Sequence, residues 1–256
     1  MKRKYQPRTS SIKDKNGKLL TEKKDVLARW GEYCSELYSD DQKQDTQILI
    51  ELDQISPEVD EDVDKQILMV EVEAAIRKLK NNKSPGIDGI PAELIKNGGQ
   101  ALVQALHRLC CIVWTKEQIP VQWGQSVLVT IPKKGDRGKC ENYRTISLIT
   151  HTSKILLNIL LERLKAQMEA YISEEQAGFR QGRSTVQQIL CLRLLAEKYS
   201  KKDQKVFNCF VNFKKAFDSL WHEGLWAVLR SFGTGPKLIR ILQNIYGQTR
   251  GAARPG

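Results

Sequence analysis

The basic segment 133–144 is the first part of this sequence whose side chains suggest chemistry. Lys133, Lys134, Arg137 and Arg144 lie in or beside a glycine-containing loop between two apolar runs. An arginine can hold two phosphate oxygens at once, so these residues could converge on an anionic ligand. The alternative is a solvated hairpin tip. The sequence contains no G-x-x-x-x-G-K-[ST] motif, so this is not a Walker-type nucleotide loop.

A second segment, 176–185, places glycines, an aromatic residue and two arginines directly before a predicted helix. The residues that could contact a nucleic-acid backbone are Gln176, Gly178, Phe179, Arg180, Gly182 and Arg183. Backbone N–H groups at a helix N-terminus and arginine side chains both bind phosphate. The structural alternative is that Ser184 or Thr185 caps the helix and that the glycines only form the turn.

A third segment, 210–219, runs from an apolar stretch into a polar turn, where metal-binding carboxylates often lie. Two-metal phosphoryl-transfer sites need carboxylates that face each other across ions about 4 Å apart. Asp218 is the only acidic residue of this segment, and the next, Glu223, falls within the following predicted helix. Asp218 is therefore better explained as the N-cap of that helix.

The periodicity of apolar residues predicts the elements that position these segments. Residues 1–20, with a turn at Asn16–Gly17, indicate a loose lead-in, and the acidic stretch 39–66 indicates a linker or ordered loop. Helices are expected over 21–38, 70–80, 91–98, 101–115, 153–171, 184–199, 220–232 and 236–246. The helix over 184–199 has an apolar face formed by Val186, Ile189, Leu190 and Leu194.

Three strands are expected beside these helices. Residues 126–131 and 143–149 predict a hairpin that carries the basic loop at its tip, and 206–213 predicts a lone central strand. A helical start, a strand pair, further helices and a single strand indicate an α+β fold.

The composition favours an anionic partner without requiring one. Lysine and arginine number 41 against 30 acidic residues, which gives a formal charge of +11 and a pI near 9.3. The six cysteines form no C-x-x-C pair, and the three histidines are not near them at zinc-ligand spacing, so we expect reduced thiols rather than zinc ligands. We find no signal peptide or bilayer-spanning stretch and expect a soluble intracellular protein, nuclear or cytoplasmic.

Taken together and in order, five segments resemble successive blocks of the reverse transcriptases of non-LTR (LINE-type) retrotransposons. These segments are 83–90, 131–136, 142–148, 176–185 and 213–218. The sequence around Trp30 is also similar to what precedes that domain, so the resemblance covers roughly residues 20–250. It implies an RNA-directed DNA polymerase with a right-hand fold, mostly helical, with a fingers β-hairpin and one central palm strand. Residues 1–66 would then lead into fingers and a partial palm at 67–256.

The resemblance also implies ligands and roles for particular residues. The partners would be an RNA template, a DNA primer and a dNTP, with Mg²⁺ as the cofactor and no membrane involved. Arg144 would contact the triphosphate of the incoming nucleotide with Lys133 nearby, and Phe217 would lie beneath the sugar. Lys134 and the loop 176–183 would follow the template and primer.

Three departures from the family pattern argue against catalysis by this chain. Asn212 stands where the family has its first catalytic aspartate, a position that Asp218 does not match, and a neutral amide is a poor ligand for Mg²⁺. The sequence ends before the block that carries the paired catalytic aspartates, so we expect a truncated palm and no DNA synthesis by the chain alone. Thr145 replaces the usual proline after the arginine, which changes only the hairpin geometry.

Two other readings of the sequence stay open. A non-catalytic nucleic-acid-binding module would keep the arginines and lysines, and its affinity would fall steeply with salt. A retroelement remnant would fold poorly, because a palm strand without its neighbours leaves sheet edges exposed. A partner chain could also supply the missing part of the palm.

Overall fold

The computed structural model describes residues 11–38, 46–55, 64–213, 216–218 and 220–254, and these form an α+β fold. The helices are α1 (Lys23–Leu37), α2 (Thr46–Asp53), α3 (Met69–Lys78), α4 (Ala92–Lys96), α5 (Gly99–Lys116), α6 (His151–Met168), α7 (Thr185–Ser200), α8 (His222–Ser231) and α9 (Pro236–Gln248). The strands are β1 (Ile12–Lys13), β2 (Leu19–Leu20), β3 (Gln125–Pro132), β4 (Tyr143–Leu148) and β5 (Arg250–Arg254). The predicted α+β class and the predicted helices are therefore confirmed, with ends shifted by a few residues.

The chain divides into two compact units. The larger comes from Met1–Gln167 and Asp218–Gly256, and the smaller from Met168–Phe217. Helices α3, α4, α5, α6 and α9 supply the apolar core of the larger unit. Its buried members include Val72, Ile76, Ile95, Leu106, Val113, Trp114, Ile155, Leu156, Leu160, Leu238 and Ile241. This burial of amphipathic helix faces is what stabilises the unit.

A smaller apolar cluster joins the start of the chain to the basic hairpin. Ile12, Val26 and Trp30 are buried with Cys140 and Tyr143. The expectation of a loose lead-in over residues 1–20 was wrong for 12–20, where β1 and β2 form an antiparallel pair. The turn predicted at Asn16–Gly17 is present and joins these strands, and burial of Ile12 anchors them.

The main sheet has three strands in the order β4-β3-β5. Strands β3 and β4 form the predicted hairpin, with Val127 opposite Leu148 and Ile131 opposite Arg144. Alternate side chains of β3 are buried, at Ser126, Leu128 and Thr130, as expected for a strand with one covered face. Strand β5, which the sequence did not indicate, pairs parallel with the other edge of β3.

The predicted central strand over 206–213 was wrong. These residues have no regular structure and every one of them is exposed. An extended segment is stable as a strand only when a neighbour accepts its backbone hydrogen bonds, and both edges of β3 are taken by β4 and β5. Of the stretch 39–66, expected to be a linker or ordered loop, residues 39–45 and 56–63 lie outside the described residues, and Thr46–Asp53 forms the helix α2, which the sequence did not indicate.

Two further findings concern the cysteines and the helices. All six cysteines are free thiols, in keeping with the expectation from their spacing. Burial raises the pKa of Cys110 to about 12, so this thiol stays protonated at neutral pH. No helix in the described part of the chain has the length and apolar character needed to cross a membrane.

Candidate nucleic-acid interface

The β3–β4 hairpin presents a basic face to solvent. Arg144 lies opposite Ile131, on the face of the hairpin away from the buried Leu128 and Thr130. The backbone N–H of Lys133 donates to the carbonyl of Asn142 at 2.7 Å, which continues the antiparallel ladder beyond β3. Because side chains alternate along a strand, Lys133 and Arg144 lie on the same exposed face.

Most of the cations on this hairpin have no carboxylate partner in the described parts of the chain. The Lys133 ammonium donates to the carbonyl of Glu141 at 3.3 Å. Lys134, Arg137 and Arg144 are exposed, and none of their side chains contacts a carboxylate among the described residues. Three cationic groups on one short hairpin therefore keep their full attraction for an anion.

The loop between β3 and β4 is held in one conformation by hydrogen bonds. The Asp136 carboxylate accepts from the Lys13 ammonium and from the Gly138 N–H, both at 2.8 Å. These two bonds lower the pKa of Asp136, so it stays ionised and its charge is matched by Lys13. The Tyr143 hydroxyl donates to the Arg137 carbonyl at 2.8 Å. The charge of Asp136 is therefore not directed at the exposed Lys134, Arg137 and Arg144, and Glu141, the other acidic residue of the loop, lies 4.0 Å from the Lys139 ammonium.

Helix α1 supports this hairpin through contacts that sequence analysis missed. The rings of Trp30 and Tyr143 meet edge to face with centroids 5.2 Å apart. The Tyr38 hydroxyl and the Thr145 Oγ1 lie 2.8 Å apart. Trp30 lies on the predicted apolar face of its helix, but no local pattern identifies a partner so distant in sequence.

The arginines of the 176–185 loop form ion pairs with carboxylates of the segment that precedes the loop. The Arg180 side chain is 7% exposed, and its guanidinium donates to Glu169 Oε1 at 2.6 Å and to the Ser173 carbonyl at 2.8 Å. Arg183 pairs with Glu174. Both arginines thus have anionic partners, unlike the arginines of the hairpin.

The end of this loop caps the following helix and forms a turn, as the structural alternative predicted. Ser184 caps α7, because its Oγ accepts from the Gln187 N–H at 3.3 Å and the Gln187 side chain accepts from the Ser184 N–H at 2.8 Å. Gly182 has φ +75° and makes the turn before the cap. Gln176 and Gly178 are exposed.

Two phenylalanines of the smaller unit are unusually exposed. Phe179 is 88% exposed and Phe217 is 83% exposed, and their rings meet edge to face with centroids 6.0 Å apart. Phe179 also has φ +61°, a conformation that costs a non-glycine residue strain energy. Aromatic faces left open to solvent are the groups on which bases stack in single-strand binding proteins.

Asn212 and Asp218, the two candidate catalytic positions, belong to different compact units. Asn212 is exposed in a segment without regular structure, and Asp218 is half-buried in a turn. The preferred explanation of Asp218 as a helix N-cap was wrong, because α8 begins at His222 and its N-cap is Trp221. The helix starts later than its apolar pattern suggests.

The donor groups in the described residues do not fit a Mg²⁺ site. Mg²⁺ prefers charged oxygen ligands in near-octahedral geometry. Asn212 offers one neutral oxygen, and the described part of the chain nowhere brings three His, Cys, Asp or Glu side chains together. Neither Asn212 nor Asp218 is therefore assigned a metal ion.

Comparison with known proteins identifies a protein family that contains these segments. Residues 131–255, which include the basic hairpin, the 176–185 loop and Asn212, match the family described as reverse transcriptase (RNA-dependent DNA polymerase). The chain is 27% identical over 186 residues to the transposon TX1 uncharacterized 149 kDa protein of Xenopus laevis. It is 30% identical over 177 residues to the probable RNA-directed DNA polymerase from transposon BS of Drosophila melanogaster.

A third relative is the retrovirus-related Pol polyprotein from type-1 retrotransposable element R2 of Popillia japonica, at 27% identity over 175 residues. The three alignments cover 73%, 67% and 66% of this chain but only 14%, 19% and 23% of those proteins. The chain thus spans less than a quarter of the length of each relative. The matched domain and the retrotransposon relatives together show that this chain belongs to the reverse transcriptase family, in the form carried by non-LTR (LINE-type) retrotransposons.

Proposed function

We propose that this chain binds an RNA template and a DNA primer as part of the fingers and palm of an RNA-directed DNA polymerase. The observation that carries the proposal is the exposed basic face of the β3–β4 hairpin. It lies inside the region matched by the family and holds cations without partners among the described residues.

The charge on the hairpin suits phosphate groups. Arg144 can grip two phosphate oxygens with its planar guanidinium, which supports its assignment to the triphosphate of an incoming dNTP. Lys133, on the same face, would add a point charge, and Lys134 and Arg137 at the tip would contact the nucleic-acid backbone. Phe217, with its ring 83% exposed, is available to lie beneath the sugar of the nucleotide.

The 176–185 loop would contribute less to affinity than the hairpin. Arg180 and Arg183 are already paired with Glu169 and Glu174, so a phosphate must compete with those carboxylates. The exposed ring of Phe179 can still stack on a base, which does not depend on charge.

We further propose that the chain does not itself extend a primer. In the family, a primer 3′-hydroxyl attacks a dNTP with the help of Mg²⁺ held by carboxylates. Asn212 places an amide at the first of those positions, and the described residues assemble no other set of ligands. Binding without synthesis is therefore the activity that these residues support.

The test is an affinity measurement with a charge-matched control. Replacing Lys134, Arg137 and Arg144 together by Gln should weaken binding to a labelled template–primer by about tenfold or more and reduce the salt slope by roughly 2 to 3. The control replaces Lys23, Lys24 and Lys116, three exposed lysines without ion pairs among the described residues, by Gln. Arg180→Ala with Arg183→Ala should weaken binding by only about threefold. Equal losses for the hairpin and control variants would refute the proposal.

A further inference from the structure

A second basic site lies between the end of α3 and the start of α6 and shares no residue with the hairpin. A cavity of about 450 Å³ opens here, and its polar lining consists of Lys78, Lys80, Lys83, His151, Lys154 and Asn158. Four of these residues are lysines and none of the described lining residues carries a carboxylate. The cavity therefore has a concentrated positive charge.

Most of this charge is not neutralised. Lys78 pairs with Glu162 at 2.8 Å. Lys80, Lys83 and Lys154 have no hydrogen-bond or ion-pair partner in the part of the chain that the structure describes. Burial lowers the pKa of Lys154, so its ammonium is partly desolvated and would gain from an anion beside it.

His151 gives independent support for a ligand. The residue is 1% exposed and lines the cavity. Its Nδ1 lies 3.0 Å from the carbonyl oxygen of Ile90, and because a carbonyl can only accept, Nδ1 carries a proton and donates. Its Nε2 is buried and has no partner among the described residues. A buried polar atom without a partner costs free energy, which a ligand in the cavity would relieve.

The backbone holds these groups in place. The N–H of Ser153 is capped by the Thr150 Oγ1 at 3.2 Å, which fixes the first turn of α6. A side chain at Gly86 would lie 2.5 Å from the backbone of Ile149 and Thr150, so the loop that carries Lys83 packs directly against the residues before α6. His151 and Lys154 belong to the first turn of α6, where the helix dipole carries its positive end.

We propose that this cavity binds a phosphate group of an RNA strand, held by Lys80, Lys83 and Lys154 with His151 at its wall. The inference rests on the proposed nucleic-acid-binding function and adds a second contact point for the strand. Such a contact fixes the strand in position but reads no base, because phosphate carries no sequence information.

The first arm of the test measures binding of a labelled single-stranded RNA oligonucleotide to the full chain. Replacing Lys80, Lys83 and Lys154 together by Gln should lower the salt slope by roughly 2, since each lost contact with a single strand removes about 0.7. The Lys23, Lys24 and Lys116 variant carries the same change in net charge and should keep the slope of the unaltered chain. Thermal unfolding of each variant checks that it is folded.

The second arm uses inorganic phosphate as the probe. Phosphate should raise the midpoint of thermal unfolding of the unaltered chain above that in chloride of equal ionic strength. The variant at Lys80, Lys83 and Lys154, named here the lysine variant, should lose this shift. If RNA binding is unchanged in the lysine variant while the phosphate shift is lost, the site takes free phosphate and the assignment to RNA is wrong. If both responses persist in that variant, the site itself is refuted. If the unaltered chain binds no RNA at all, the proposed function fails, whereas its phosphate response still reports on the cavity.

Discussion

Arg163 joins three segments of the larger unit through one guanidinium group. Its Nε and one terminal nitrogen donate to the two carboxylate oxygens of Glu71, each at 2.8 Å. The other nitrogen donates to the Lys65 carbonyl at 2.8 Å, and the group lies 4.7 Å from the centre of the Trp114 ring. Only 13% of Arg163 and 25% of Glu71 are exposed, so this pair is protected from salt in a way that surface pairs are not.

We expect Glu71→Gln to reduce the free energy of unfolding by about 1.5–3 kcal/mol at neutral pH, the usual value of charge-assisted hydrogen bonds. Burial raises the pKa of Glu71, but the hydrogen bonds from Arg163 and the Leu68 N–H outweigh it and leave the pKa lowered. The contribution of the ion pair is therefore complete above the unfolded pKa of about 4.3 and is lost as the pH falls through the lower folded pKa.

Urea unfolding across this pH range measures the effect. The exposed pair Arg193–Glu197 provides a control, since Glu197→Gln should cost less than about 0.5 kcal/mol. A loss for Glu71→Gln that is no larger than that of the control, or that does not change as the carboxylate is protonated, would contradict the account of Glu71.

At the scale of elements, the sequence predicted the strands and loops that local patterns of residues indicate. The alternation of buried and exposed side chains in β3 is visible in the sequence, and so is the basic loop that follows it. The pairing of β5 with β3 is not visible, because it joins residues more than one hundred positions apart along the chain. The support of the hairpin by Trp30 and Lys13 was missed for the same reason.

The same difference between local patterns and distant contacts explains which parts of the candidate site could be predicted from the sequence. The hairpin pattern predicted that Lys133 and Arg144 lie on one hairpin, and the resemblance implied that they lie near each other; the strand register and the Lys133–Asn142 hydrogen bond put them on one face. The ion pairs of Arg180 and Arg183 could not be predicted, because Glu169 and Glu174 lie outside the motif that singled the arginines out. Asp218 was misjudged because it lies in a turn four positions before His222, the first residue of α8.

Helix α7 has an apolar face that the described chain does not cover. Val186, Ile189, Leu190 and Leu194 are 71%, 65%, 51% and 55% exposed. A helix of this length without tertiary packing is only marginally stable in water. The Ser184 cap and the Arg193–Glu197 pair supply local support but little free energy.

We therefore expect the amide protons of α7 to exchange with solvent far faster than those of α5 and α6, whose faces are buried in the core. Hydrogen–deuterium exchange followed by mass spectrometry measures all three helices in one experiment, so α5 and α6 act as internal controls. Protection of α7 equal to that of α6 would mean that a surface covers its apolar face in solution.

For the whole molecule, the two compact units differ in how they are stabilised. The larger has the apolar core described above, whereas every residue of the smaller unit from 181 to 213 is exposed. Exposed apolar side chains such as Phe207, at 90%, and Phe210, at 80%, favour self-association. We therefore expect any poor folding of the kind predicted for a remnant in the smaller unit, and we expect the larger unit to unfold cooperatively.

The central claim is that this chain binds a template–primer without extending it. The most direct measurement follows the fluorescence anisotropy of a labelled RNA–DNA template–primer with the purified chain and then adds dNTPs and Mg²⁺ to the same sample. We predict a rise in anisotropy that decreases with salt, and a primer of unchanged length both for the chain and for Asn212→Asp, because one added carboxylate does not complete a set of metal ligands. A lengthened primer with the unaltered chain, or no rise in anisotropy at low salt, would contradict the claim.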